Sequence, residues 1–367
     1  MRELLPRLAD AFDVLLFAVT KRDGDVADPV VPTVANRLMG DPFGREQLPA
    51  LLSEHEPDVV LLHHDVEFFP VHQEALRGRR TVLYCPIEWE RTRPERLTAL
   101  RWANLLVTYT RFGRRVIADA FGEEAMPPVE TIGHGVSPGR FPAMPRGDAR
   151  RLLFPDRPEL GDAFVVLNAN RNSPRKRIDL TLEAFARFAR DRRDAYLYLH
   201  MAPGGGTDVT GHAEFLGVAG RILTTPADDF WGPDVPDATL AAIYGACDVG
   251  INTSTGEGWG LVAFEHALAG APQVLPDHTA PAELWKGKAL LVPAAEGEHG
   301  DRVVSVEAAS ATLQRLYEDE PLRARFGEAA RKHALDPSFD WNTIAQSWKT
   351  LLLKEADSAR SVRARDV

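Results

Sequence analysis

"DVGINTSTGEGWGLVAFEHALAG", residues 248–270, reads as three pieces in succession. "DVGINTS" is a short apolar run that suits a strand covered on both faces. "TGEGWG" is a turn in which Gly256, Gly258 and Gly260 let the backbone come close to a ligand. "LVAFEHALAG" has helical spacing, with Gly270 as its stop. Strand, glycine turn and helix together are how α/β domains present backbone N–H groups and the positive end of a helix to phosphate. Two carboxylates interrupt this arrangement. Glu257 lies in the turn and Glu265 in the helix, with seven residues between them. A carboxylate beside an anion site has a cost unless hydroxyl groups donate to it, and a sugar supplies such hydroxyls. The plainer alternative is one glutamate at a helix start and another on a solvent face.

A second strand–turn–helix junction lies upstream, in "NANRNSPRKRIDLTLEAF", residues 168–185. Arg171 and Lys176 stand five residues apart, with Arg175 and Arg177 flanking the lysine. A planar guanidinium and a compact ammonium form a suitable pair for a diphosphate. A solvated basic turn is the competing explanation. A basic junction and a carboxylate-bearing junction in one domain are more specific together than either alone.

Around these junctions, strand-like runs alternate with helical segments, which predicts α/β architecture with parallel sheets. "FDVLLFAV", "PDVVLLHH", "RTVLYCPI", "NLLVTYT" and "VETIGHGV" are the first-half strands, with "EQLPALLSEH" and "RFGRRVIADAFG" as helices. Residues 137–162, rich in Pro, Gly and charge, read as a domain break. The pattern then restarts. "RIDLTLEAFARFARD" places Ile178, Leu182, Phe185 and Phe188 on one face, and "DATLAAIYGAC" starts with an Asp able to cap its helix. Three helices close the chain, the last returning to the first domain, and the tail from about Asp357 is expected to be loose. The expected domains are 1–143 with a returning helix at 341–357, and 148–340.

The chain has 367 residues, 44% hydrophobic and 26% charged, with a net charge of −10. That length predicts two domains, and the negative charge argues against nucleic acid as a main partner. Cys85 and Cys247 are too few and too scattered for a disulfide framework or a zinc site, and they fit a reducing cytoplasm. No secretory signal is recognised at the start, and no apolar run is long enough to span a bilayer. Residues 71–115 carry ten arginines against four glutamates. Such a segment is a solvated helical surface or a patch for an anionic acceptor or an acidic membrane face.

"EGWGLVAFE" resembles the E-x7-E motif of the family-4 retaining glycosyltransferases, which have the GT-B fold. Arg171 and Lys176 are similar to the basic pair those enzymes place on a nucleotide diphosphate. "AAIYGACDVGINTS" looks like their helix–strand lead-in, "IGHGVSPGRFPAMP" like the segment closing their first domain, and "APAEL", with Glu283, like the motif after their next strand. The resemblance spans about 130–350 strongly and the first 130 residues in outline. It implies two Rossmann-like domains facing each other across a cleft. It also implies a nucleotide-sugar donor as substrate, no cofactor and no metal. Arg171 and Lys176 would hold the diphosphate, and Glu257 would bind donor-sugar hydroxyls near the reacting carbon. Backbone N–H groups of Gly258, Trp259, Gly260 and Leu261 would contact sugar and phosphate, and Glu265 the ribose. "NRNSPRKR" looks like a subset with members that use GDP-mannose. The acceptor would be a glycan, a lipid-linked molecule or a small molecule, the protein working in the cytoplasm or at the inner membrane face.

The chain also departs from that pattern. "MRELLPRLADAFDVLLF" looks like the helix and strand that follow the family's first strand and glycine loop, so a first strand is expected to be missing. Where many members carry a His, "LYCPIEWE" has Cys85 and Glu88. His64, Asp65 and Glu88 are the acceptor-side candidates. His63, His64 and Asp65 do not form a metal set, because neighbours on a strand point to opposite faces. Asp23-Gly24-Asp25 is a D-x-D triplet, read as a polar turn, and Gly204–Gly206 are read as a surface loop, the alternative being a place near the nucleobase. A glycosidase needs two carboxyl groups about 5–9.5 Å apart across the scissile bond and has no use for the basic pair. A dinucleotide oxidoreductase lacks its G-x-G-x-x-G opening. A non-catalytic nucleotide-sugar-binding protein, or an inactive partner of another transferase, is the remaining alternative.

Overall fold

The computed structural model describes the chain except for residues 20–29, 38–39, 91–93, 98–99, 123–125, 203, 226–234, 299 and 365–367, and the side chains of 94 and 96. The Asp23-Gly24-Asp25 triplet lies outside the described residues. The chain divides into two compact units.

The first unit comprises Met1–Ile87, Thr92–Gly135 and Ser338–Val367. Its sheet runs β3 (Val60–His63), β4 (Thr81–Cys85), β5 (Leu105–Thr108) and β6 (Val129–Thr131), all parallel and in sequence order. β1 (Leu16–Ala18) and β2 (Thr33–Ala35) form a separate parallel pair. The central strands are wholly buried, as continuous apolar runs demand. The helix Trp341–Arg363 belongs to this unit. Trp348, fully buried, meets Tyr84 edge-on at 4.8 Å, and the buried Glu355 pairs with Arg80 at 2.6 Å. The tail expected to be loose from Asp357 is instead helical to Arg363. Ala359 is buried, and Arg360 pairs with Asp58 at 2.9 Å.

The second unit comprises Glu88–Arg91 and Val136–Pro337. Its six strands are β7 (Phe164–Asn168), β8 (Ala195–Leu199), β9 (Ile222–Thr224), β10 (Val249–Ile251), β11 (Gln273–Pro276) and β12 (Leu290–Val292). They are parallel and ordered β12-β11-β10-β7-β8-β9. This is the doubly wound order, and it reverses between β7 and β10. An antiparallel hairpin, β13 (Ala294–Glu296) with β14 (Arg302–Val304), follows. Ile178, Leu182, Phe185 and Phe188 all lie in the core, as their helical spacing predicts.

Tertiary charge partners shape two local features. The stretch read as a domain break contains the helix Arg146–Leu153. Its Arg150 is buried and donates to the carbonyls of Ala246, Leu160 and Gly161 and to Asp248 at 2.7 Å. Asp237 does not cap its helix: it is the first helical residue, the capping position is Pro236 with no side-chain cap, and Asp237 takes a two-pronged pair from Arg140 at 2.9 and 2.6 Å. Among the described residues no helix is long and apolar enough to cross a membrane.

Candidate active site

Ligands of doubly wound sheets bind beyond the carboxyl ends of the strands, where the strand order reverses. In the second unit the loops leaving β7 and β10 meet there, and they carry the two sequence junctions. Residues 169–177 leave β7 and residues 252–260 leave β10. The loops are joined backbone to backbone: Thr255 N–H donates to the Arg175 carbonyl at 2.9 Å. Thr253 Oγ1 donates to the Arg177 carbonyl at 2.8 Å and sits 2.7 Å from Thr181 Oγ1, which accepts from Asn168 Nδ2 at 2.9 Å. Arg177 has φ +47°, a left-handed conformation that a residue with a side chain adopts at some cost. The Thr253 bond to its carbonyl helps hold it.

Glu257 is the centre of the site. It is only 4% exposed, and four side chains donate to it. Lys176 Nζ and Asn252 Nδ2 reach Oε1, the latter at 2.9 Å; Ser254 Oγ reaches Oε1 at 3.2 Å and Arg175 Nη1 reaches Oε2 at 3.3 Å. Its own N–H donates to Thr279 Oγ1, and its carbonyl accepts from Ala280 N–H, both at 3.2 Å. Burial alone would push this carboxyl up. The charges of Lys176 and then Arg175, with hydrogen bonds from Lys176 and Asn252, outweigh burial and hold it at about 2. Burial pushes the Lys176 ammonium down, and Glu257 opposes that push. The two partners thus respond differently. Glu257 is an ionised carboxylate that collects four donors, while Lys176 has the Glu257 carboxylate and, further off, the charge of Glu88.

Glu265 sits on the helix Leu261–Leu268 in another setting. Tyr244 Oη donates to its Oε2 at 2.7 Å, and among the described residues it has no ion pair. Burial pushes its carboxyl up, against the Tyr244 hydrogen bond and the Arg140 charge.

The glycine turn is close-fitting. A Cβ on Gly256 would fall 2.0 Å from the carbonyl oxygen of Glu88, so only glycine fits there. Gly260 precedes the helix at φ +92°, and the chain stops it at Gly270, φ +82°. Gly258 and Trp259 are buried, with the indole 5.5 Å from the Phe264 ring, while Leu261 is exposed at the helix start.

The remaining candidates are placed as follows. Arg171 is exposed on the β7 loop and has no ion pair or side-chain hydrogen bond among the described residues, so the cations on Glu257 are Lys176 and Arg175. Glu88 lies in the second unit, its Oε1 2.8 Å from Arg175 Nη2. His64 and Asp65 lie in the first unit: the His64 ring is 4.2 Å from that of Phe68, and Asp65 is exposed. Sequence reasoning passed over Arg175, Asn252, Ser254 and Tyr244 as functional residues. Arg175 could have been found as a neighbour of Lys176, and Asn252 and Ser254 as polar residues ending an apolar strand. No local signal pairs Tyr244 with Glu265.

The family model described as glycosyl transferases group 1 matches residues 150–333. A D-inositol 3-phosphate glycosyltransferase from Kineococcus radiotolerans is 30% identical over 259 residues, covering 67% of this chain and 56% of the relative. One from Streptomyces avermitilis is 34% identical over 226 residues, covering 60% and 45%. The chain thus spans about half the length of the curated relatives it matches. Among solved structures, sucrose-phosphate synthase from Thermosynechococcus elongatus has a TM-score of 0.74 at 18% identity, covering 96% of this chain and 91% of that one. A trehalose-6-phosphate structure from E. coli bound with UDP-2-fluoro glucose has a TM-score of 0.68 at 15% identity, covering 96% and 95%. At such identity the likeness speaks for the fold alone, which is GT-B. The family model spans half of the chain and includes the basic loop, the glycine turn and both carboxylates, and on that match the chain belongs to the group 1 glycosyl transferases.

Proposed function

We propose that this protein is a glycosyltransferase that moves a hexose from a nucleotide-diphosphate sugar to an acceptor hydroxyl. The observation that carries this is the ionised, buried Glu257 held by Lys176 where the strand order reverses, with the exposed Arg171, which has no ion pair among the described residues, on the same loop. The departing nucleoside diphosphate is an anion, so preorganised positive charge lowers the barrier. Lys176 and Arg171 supply that charge in place of a metal. Glu257 turns its remaining lone pairs to donor-sugar hydroxyls, and backbone N–H groups of Gly258 to Leu261 face sugar and phosphate. Glu265, which has no ion pair among the described residues, accepts from the ribose hydroxyls. The family resemblance supports retention at the anomeric carbon, and the "NRNSPRKR" loop makes GDP-mannose the first donor to test. The names of the curated relatives make a polyol phosphate the first acceptor, with His64 and Asp65 as candidates to meet it. We place the protein in the cytoplasm.

A thermal-shift panel of GDP-mannose and UDP- and ADP-sugars, followed by transfer assays, tests this function. A ligand at one hundred times its dissociation constant stabilises by about 2.7 kcal/mol. No shift with any nucleotide sugar sinks the proposal. A shift without transfer or donor hydrolysis supports a non-catalytic binder instead.

A further inference from the structure

Arg175 is outside the Arg171–Lys176 pair on which the proposed function rests, yet it reaches further into the site than Arg171. Its guanidinium is shared among three acceptors: the Gly256 carbonyl, Glu257 Oε2 at 3.3 Å and Glu88 Oε1 at 2.8 Å. These are not equally exchangeable. Glu257 is 5% exposed at its side chain and locked by its other donors, whereas Arg175 and Glu88 are 22% and 24% exposed. Glu88 is also held in place. Its carbonyl lies against Gly256, and Glu90, two residues on, takes a 2.7 Å bond from Arg302. Among the described residues, Lys176 and Arg175 face Glu257 and Glu88. A diphosphate arriving beside Lys176 adds negative charge next to Glu88, and like charges in a half-buried site repel.

We infer that Arg175 is a further anion-binding residue of the donor site, and that Glu88 is a stand-in carboxylate which yields Arg175 to the donor diphosphate. This rests on the donor site proposed above. It predicts that Glu88 weakens nucleotide binding and does so through Arg175. Loss of the Glu88 charge therefore tightens binding, and only while Arg175 is present.

The test is calorimetric titration of the full chain, at low salt, with GDP, UDP, ADP and inorganic pyrophosphate, as a double-mutant cycle. Wild type, E88Q, R175Q and E88Q/R175Q are compared, with R175K in place of R175Q if the latter melts early. E88Q is expected to bind the preferred nucleotide about three- to tenfold more tightly than wild type. R175Q should bind about tenfold more weakly, and the double variant should match R175Q. Wild-type binding with no gain in E88Q overturns the inference alone. So does an equal gain from E88Q in the R175Q background, which would make Glu88 a general repulsive charge. Binding of every probe by neither wild type nor E88Q removes both the inference and the donor site on which it rests.

Discussion

Glu257 and Glu265 are two turns of helix apart in sequence, yet their surroundings treat a carboxylate in opposite ways. The glycine turn meets Glu257 with two cations and two neutral donors and holds it at about 2. The helix face meets Glu265 with a phenol, and burial pushes its carboxyl up. The same residue type thus becomes a fixed anion in one place and an under-compensated acceptor in the other. Burial acts on both; what differs is whether a neighbouring loop supplies positive charge. The β7 loop does so at Glu257, and among the described residues no loop ion-pairs Glu265.

Lys176→Ala gives the largest expected effect. It should lower transfer at saturating donor by about 100- to 1,000-fold. Glu257 keeps Arg175, Asn252 and Ser254, so the variant should still fold, with a lowered melting temperature. Turnover equal to wild type would remove the contrast between the two carboxylates as a functional one.

Acid stability comes next. Glu257 has an ordinary value of 4.5 and a folded value of about 2. Its contribution is therefore fully present above 4.5 and is lost as pH falls through 2. The size is on the order of 3 kcal/mol. Urea unfolding at several pH values between 6 and 2.5 should show a flatter pH dependence in Glu257→Gln than in wild type. Parallel curves would mean that Glu257 is not held as an anion.

Arg171→Gln should leave stability within about 0.5 kcal/mol, since the side chain is exposed and has no ion pair among the described residues. Donor KM should rise about tenfold. An unchanged KM with wild-type turnover would leave Lys176 and Arg175 as the working pair.

Glu265→Gln sharpens the contrast from the other side. Because the folded value is raised, the favourable contribution of Glu265 is present below the ordinary 4.5 and is lost as pH rises through the folded value. The amide removes that penalty and can still accept from Tyr244. At neutral pH the melting temperature should rise by about 1–3 °C. Donor binding should weaken at the same time, as expected if ribose needs the carboxylate.

The alternation of strands and helices and the two strand–turn–helix junctions were legible from the residues alone. So were the core face of Ile178, Leu182, Phe185 and Phe188 and the stop at Gly270. Each depends on local period or on a backbone conformation that one residue type allows. The errors have another origin. Asp237 is a charged residue that looks like a helix cap until its distant partner, Arg140, comes into view. The tail from Asp357 reads as polar, but Ala359 is buried and Arg360 pairs with Asp58, which hold the helix in place.

By itself, then, the sequence determined the α/β class, the strand-to-helix frame and the presence of a basic loop and a carboxylate turn. The tertiary structure decided which cations meet which carboxylate. Lys176 and Arg175 reach Glu257, while Arg171 stands apart. Period and turn chemistry act over a few residues, but a charge is paired by whichever chain segment folds within about 4 Å of it, and here that segment lies some eighty residues away.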